Sequence, residues 1–497
     1  MYRKDNPHQM EFQNFYLPFG GELDSENRWV ILAQQIPWQR IEEKYCGIFS
    51  TEDGCPAKSA RMGFGALIIK ERLGTTDRET VEQIRENPYL QYFLGCHEYS
   101  NDVPFHHSLM THFRKRFSKE ALAEINDMIV AEAMEQLQET SIESSDDDDT
   151  PSNNGKLIVD ATCAPADITY PTDLKLLNEA REKTEEIIDA MHDPFIGKKQ
   201  KPRTYRKKAR KDYLAVAKQK SPGRKKIRKA IGKQLRYISR NLKTIQTGVT
   251  KGLLWVLGKR MYRNLLVIQE LYRQQNEMYK NRTHTIADRI VSISQPHVRP
   301  IVRGKARSKV EFGAKISVSL VNGFSFVDRI SWDNYNESGD LKSQINDFHD
   351  RFNCYPEVVD ADQIYRTREN RKYCKKNGIR LSGPPLGRPK KMNEANAAAL
   401  KQEREIHCQD EKDRNAIEGK FGQGKRRFTL GLIMAKLART SEVVITISFI
   451  VMNLEKILSE LLSFLRYFYR VCRITLRGCV GECRNQAMGR ADVQFAA

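Results

Sequence analysis

Asp160, Asp360, Asp362 and Glu418 are carboxylates placed where acids could do chemistry, and two cations, Arg414 and Lys425, flank the last of them. Asp160 follows the apolar run Leu157-Ile158-Val159. A single Asp after such a run is more often a turn former than a ligand. Asp360 and Asp362 lie in EVVDADQIY, residues 357–365. A period of two puts both on one strand face, so either could reach a site. Glu418 lies in DRNAIEGKFGQGK, residues 413–425. On a helix, Arg414, Glu418 and Lys425 fall at about 0°, 40° and 20°, one narrow stripe. A surface salt-bridge stripe would look the same, and Gly422 and Gly424 weaken the helix just before Lys425.

Three carboxylates brought together would repel one another unless a cation held them. A hard divalent ion such as Mg²⁺ takes oxygen ligands and keeps water or phosphate in its remaining positions. Two such ions activate water or a 3′-hydroxyl and stabilise the leaving oxygen in an in-line displacement at phosphorus. The chemistry this pattern could support is therefore phosphodiester cleavage and transfer.

The elements that must position these acids are legible in outline. Lys156–Thr162 is a short β-branched run with its carboxylate near the end. Ala314–Val321 and Phe324–Ser331 alternate apolar and polar residues around Asn322-Gly323, a strong hairpin signal. Leu341–Phe352 reads as a helix and Glu357–Val359 as a further strand. This order predicts an α/β fold, a mixed sheet carrying helices. Ahead of it, about 26–138 has helical spacing punctuated by Pro56, Pro88 and Pro104, and reads as a small all-helical domain. Residues 139–155, acidic and then polar, read as a linker, which predicts that 1–138 folds by itself. The sheet-bearing domain is expected over 156–440. Over 441–497 we expect amphipathic helices packed on the sheet, followed by a frayed tail from Gly478 to Ala497.

Between the first strand and the hairpin lies an insertion, about 171–310. Within it, residues 198–243 hold 20 Lys and Arg and a single acid, Asp212. A solvated helix face usually mixes both signs. An uncompensated run of this kind predicts contact with a polyanion, and nucleic acid is the natural one.

The 497-residue chain carries a net charge of +20 with 40% apolar residues, which suits a globular protein with a basic surface and excludes wholesale disorder. Its most apolar window, Val443–Leu454, is too short to span ~30 Å of hydrocarbon. The N-terminal residues hold no apolar signal segment. Ten cysteines without a CxxC pair argue against a zinc site and for reduced thiols in the cytosol.

Four blocks carry a family resemblance: LIVDATCAPADITYPTD (157–173), QPHVRPIVRGKARSKVEFGAKIS (295–317), ADQIYRTRENRKYCKKNGIRLSGPPLGRP (361–389) and RNAIEGKFGQGKRRF (414–428). In this order and at this separation they resemble bacterial insertion-sequence DDE transposases, with the group called insertion-sequence family five the closest match. The resemblance runs over roughly residues 10–465.

It implies an RNase H-like core, metal-dependent DNA cleavage and strand transfer, and recognition of terminal inverted repeats. The implied metal ligands are Asp160, Asp362 and Glu418, since the family's D-x-x-Y…N-R block matches Asp362, Tyr365, Asn370 and Arg371. Arg414 and Lys425 match the phosphate-contacting cations, while Glu411 stands where related transposases carry Tyr. Two Mg²⁺ or Mn²⁺ ions per site, double-stranded DNA as element ends and target, a homo-oligomer on DNA and a nucleoid-associated location are implied as well. LPFGGELDSENRWVILAQQIPW and TVEQIRENPYLQYFLG resemble the family's helical N-terminal domain, taken to bind the ends. Leu386–Lys391 is similar to a minor-groove hook, a weaker feature. Two other readings compete: a catalytically inactive, transposase-derived DNA-binding protein, and a stand-alone metal nuclease that would join nothing.

Overall fold

Asn322 and Gly323 take φ of 49° and 78°, the left-handed pair that a tight two-residue hairpin needs. They join strands that pair from Val321↔Phe324 to Lys315↔Ser331. The structure is a computed structural model that describes residues 11–18, 20–47, 57–139, 153–192, 200–302, 310–385, 387 and 396–463. The expected linker (apart from its ends), the Leu386–Lys391 hook (apart from Gly387) and the C-terminal tail lie outside those residues.

Seven helices come first: α1 Arg28–Gln35, α2 Trp38–Cys46, α3 Ala60–Leu73, α4 Asp77–Glu86, α5 Pro88–Phe93, α6 Leu109–Arg116 and α7 Lys119–Glu139. Ser59, Thr76 and Asn87 accept backbone N–H bonds at the starts of α3, α4 and α5. Strand β1, Lys156–Pro165, then leads into helices α8 Asp173–His192, α9 Arg206–Ala217, α10 Arg224–Thr250 and α11 Lys259–Asn281. The sheet resumes with β2 Arg299–Val302, β3 Val310–Val321 and β4 Phe324–Ser331. It is completed by α12 Leu341–Phe352, β5 Val358–Ala361, α13 Arg368–Lys376, β6 Arg380–Leu381 and α14 Ala397–Arg427. A last helix, α15, covers 438–463.

The sheet runs β2-β3-β1-β5-β6, with β4 sharing an edge of β3 with β2. β1 is antiparallel to β3 and parallel to β5, and β5 is parallel to β6. β1 is therefore central, which is why it lacks clean alternation. A Cβ on Gly313 would collide with the Ala164 carbonyl, so glycine permits the close approach of β3 to the end of β1.

Four expectations need correction. β1 continues through Pro165 instead of stopping at Thr162, so Asp160 lies mid-strand, opposite Val318. The insertion ends before 310, because Arg299–Val302 already pairs with β3. The final helix starts at 438 and is not amphipathic. Val443, Ile445, Ile447, Phe449, Ile450, Val451, Met452 and Leu454 are all buried, which demands a covering layer on more than one side.

That layer is the N-terminal helices, and this is the fourth correction. One hydrophobic core runs from Phe15 through α1–α7 and α15 into the sheet residues Leu157, Val159, Ile316 and Phe326. Polar contacts bind the same seam. Buried Glu71 of α3 accepts from the Thr429 backbone N–H (2.9 Å) and from the Ser448 hydroxyl (2.6 Å), and Arg72 pairs with Glu455. Among the described residues, the buried core of the helical segment is continuous with that of the sheet.

Candidate active site

Parallel pairing of β1 with β5 sets the register Val159↔Ala361. That register carries Asp160 and Asp362 to the next rung, where β5 has ended. Asp160 stays in its strand and accepts the Ala161 N–H (2.8 Å). Asp362 turns out of the sheet and accepts the Gln363 N–H (2.7 Å), capping a 3₁₀ turn, Gln363–Tyr365. Helix α14 packs against β1 and β5 through buried Ile417 and Phe421. Its 31 residues run unbroken through Gly422 and Gly424, so Arg414, Glu418 and Lys425 do share a helical stripe.

Asp160, Asp362, Glu418, Arg414 and Lys425 all line one cleft of about 980 Å³. Thr162, Lys315, Asn334, Tyr335 and Glu337 line it too. Asp360 does not. Its side chain is fully buried beneath the sheet end, 3.4 Å from the Lys156 ammonium, which also pairs with Asp413. Two carboxylates that a strict period of two puts on one face thus separate because the strand stops between them.

Burial is the main cause that pushes the Asp160 carboxyl up to about 6. The negative charges of Glu337 and Asp362 raise it further, against the Ala161 N–H and Arg414. Glu418 is mostly exposed and accepts from Arg414 (3.2 Å). The buried Tyr365 hydroxyl lies beside Asp160, Glu337 and the Ser317 hydroxyl. Asn370 donates to the carbonyls of Tyr365 and Ser338 (2.8 Å each), tying the Asp362 turn to the Glu337 turn, Glu337–Gly339. Arg371 donates to the Pro384 carbonyl (2.8 Å). Tyr365, Asn370 and Arg371 thus brace the cleft wall.

Sequence reasoning missed Glu337 and Lys315, whose side chains pair at 2.7 Å on the wall facing Asp160. Glu337 follows Asn334-Tyr335-Asn336 in an irregular stretch, where no periodicity marks it. Only the strand position of Lys315, in register with Cys163 on β1, brings the pair to the cleft.

The cleft's donors are hard carboxylate oxygens, the chemistry a divalent cation takes. Among the described residues, no three Asp, Glu, His or Cys side chains converge closely enough to hold one ion. Asp160, Asp362 and Glu418 present their carboxylates to the same cleft.

Two family models match parts of the chain. Residues 359–455, which include Asp362, Arg414, Glu418 and Lys425, match the family described as Transposase DDE domain. Residues 19–116 match the family described as Transposase domain (DUF772). The chain belongs to the bacterial insertion-sequence transposases. It is 33% identical over 153 residues to the ORF8 protein of the nfe locus of Rhizobium meliloti, a stretch covering 30% of this chain and 68% of the relative. No solved structure matches it significantly. DDE transposases are generally divalent-metal-dependent enzymes acting on DNA. No helix among the described residues is long and apolar enough to cross a membrane.

Proposed function

We propose that this chain is an active DDE transposase of the insertion-sequence family five type, which cuts double-stranded DNA at its element's inverted repeats and joins the freed ends to target DNA. The observation that carries this reading is the meeting of Asp160, Asp362, Glu418, Arg414 and Lys425 in one cleft from three separate elements. The strand order β4-β3-β1-β5-β6, three antiparallel then two parallel to β1, supports an RNase H-like core.

Asp160, Asp362 and Glu418 would hold two Mg²⁺ or Mn²⁺ ions. When bound, such ions supply Lewis-acid stabilisation of the attacking and leaving oxygens. Asp160, sealed in its strand, fixes one side of the site, and Asp362 approaches from the adjoining turn. Arg414 holds the Glu418 carboxylate on the helix, and with Lys425 it presents positive charge to phosphate oxygens. Water attacks the scissile phosphorus, and the bond to the bridging 3′-oxygen breaks to free a 3′-hydroxyl. That hydroxyl then attacks a target phosphodiester, exchanging one P–O bond for another. The helical N-terminal segment binds the element ends, and the chain works as a homo-oligomer on DNA.

The test is a nicking and joining assay on end DNA with Mg²⁺ or Mn²⁺. Asp160→Ala, Asp362→Ala and Glu418→Ala should each abolish nicking while end binding persists. Full nicking by any one variant would remove that residue from the site. Nicking without joined products would favour the nuclease reading.

A further inference from the structure

The basic insertion is not uniformly available to a partner. Asp189 pairs with Lys201 and Arg206, and Asp212 pairs with Lys233. Helix α10 supplies Lys233 to the second of these pairs, but its own 27 residues contain no acid. Lys225, Lys229, Arg236, Arg240 and Lys243 on it are all exposed. At 100° per residue they fall at about 0°, 40°, 20°, 60° and 0°, a stripe roughly 60° wide and ~27 Å long. None of the five forms an ion pair among the described residues.

The stripe is held rigidly. The opposite face of α10 buries Ala230, Gln234, Leu235, Ile238, Asn241 and Ile245 against the neighbouring insertion helices. Asn241 donates to Thr184 on α8 (3.0 Å), which locks the helix's rotation. The Arg240 guanidinium lies over the Tyr205 ring at 4.4 Å and near Tyr237 at 5.8 Å, so its direction is set before any partner arrives. Gly232 interrupts the row, because the Tyr279 hydroxyl crosses the helix where a Cβ would stand. This interruption leaves two cationic groups, Lys225 with Lys229 and Arg236 with Arg240 and Lys243, about 10 Å apart at their nearest residues.

A preorganised, acid-free row of this length matches a polyanion of fixed charge spacing. A major groove is ~12 Å wide and bounded by a phosphate backbone on each side. We propose that the α10 stripe is a phosphate rail for double-stranded DNA, with Lys225 and Lys229 on one bounding backbone of a single groove and Arg236, Arg240 and Lys243 on the other. The inference rests on the transposase reading for its partner and assigns the contact to one helix face instead of the whole insertion. It predicts sequence-independent binding, since phosphates carry no base information.

The test uses the full chain and a duplex of arbitrary sequence. Replacing Lys225, Lys229, Arg236 and Lys243 together by Gln should flatten the salt dependence of binding by about 3–4 in log–log slope, at ~0.9 for each phosphate no longer neutralised. Replacing Lys207, Lys211, Lys218 and Lys220 by Gln removes the same charge off the stripe and should change the slope by less than about 1. Phosphate ethylation should interfere at two clusters on opposite strands facing one major groove. An unchanged slope in the stripe variant, equal reductions in both variants, or interference on one strand alone would each overturn the rail. Metal-dependent nicking by the unaltered chain, assayed in parallel, keeps the two readings apart: nicking with no rail signature refutes the rail only, and absent nicking refutes the transposase reading.

Discussion

Asn126 of α7 and Asn453 of α15 meet through a 2.8 Å amide–amide hydrogen bond, although 327 residues separate them. Both are buried. Asn453 also accepts from the Ser325 N–H and hydroxyl (2.9 Å each) and donates to the Ser325 carbonyl (2.8 Å). One amide thus joins the N-terminal helices, the hairpin strand β4 and the last helix, with its hydrogen-bonding capacity used on all sides. Such a satisfied buried amide specifies how three segments dock, because any other arrangement leaves polar groups unpaired.

Asn453→Ala should therefore destabilise the whole chain by about 1–3 kcal/mol, the cost of leaving buried partners unsatisfied. The fragment 1–138 should fail to unfold cooperatively by itself, since α15 and the sheet complete its core. Denaturant unfolding followed by circular dichroism checks both. A cooperative, native-like transition of the isolated fragment would show that the shared core is dispensable.

Asp360 and Asp362 should respond differently to the same change. Asp362→Asn should lower metal-dependent nicking at least ~100-fold, since losing a ligand forfeits several kcal/mol of transition-state stabilisation. Asp360→Asn should keep measurable nicking, because its side chain lies outside the cleft beside Lys156. Rates under identical metal and salt decide it, and the reverse outcome would assign the cleft ligand to Asp360.

How far the sequence could be read depends on the range of the forces involved. The hairpin at Asn322-Gly323 and the helix Leu341–Phe352 were legible because turn geometry and helical periodicity are local. The stripe of Arg414, Glu418 and Lys425 was legible for the same reason. The choice between Asp360 and Asp362 was not legible from periodicity, because it depends on β5 ending at Ala361. Family resemblance, not spacing, pointed to Asp362. Glu337 escaped notice because its approach to the cleft is set by tertiary pairing with Lys315. The shared core escaped because nothing local marks a helix at 438–463 as the partner of helices before 139.

Asp328 should make folding stability fall as pH rises. Burial pushes its carboxyl up to about 7, against hydrogen bonds from Gln344 and Ser319 (2.7 Å each). Its folded value exceeds the unfolded one, so the native chain keeps a proton that the unfolded chain loses. Stability contributed by that proton is complete below about pH 4 and is lost as pH rises toward 7. Asp328→Asn keeps an acceptor for both donors without a charge to bury. Its melting temperature should exceed that of the unaltered chain at pH 8, with the difference shrinking or reversing near pH 4. A difference that does not vary with pH would sink this assignment.

Asp160 should impose an acid limit on metal-dependent nicking. Its carboxyl is pushed up to about 6, first by burial and then by the charges of Glu337 and Asp362. Below that value the carboxyl is protonated, and a cation must displace the proton to bind. Nicking at fixed, subsaturating Mn²⁺ should therefore drop as pH falls through about 6, and more Mn²⁺ should move the drop to lower pH. Removing the charge of Glu337 eases ionisation of Asp160, so Glu337→Gln should also shift the inflection downward. The same substitution removes negative charge from the cleft and should raise the Mn²⁺ concentration needed at pH 8. Opposite movements of these two readouts separate an electrostatic role of Glu337 from a loss of folding, which would depress nicking at every pH. An inflection that stays in place in Glu337→Gln would show that Glu337 does not govern the ionisation of Asp160.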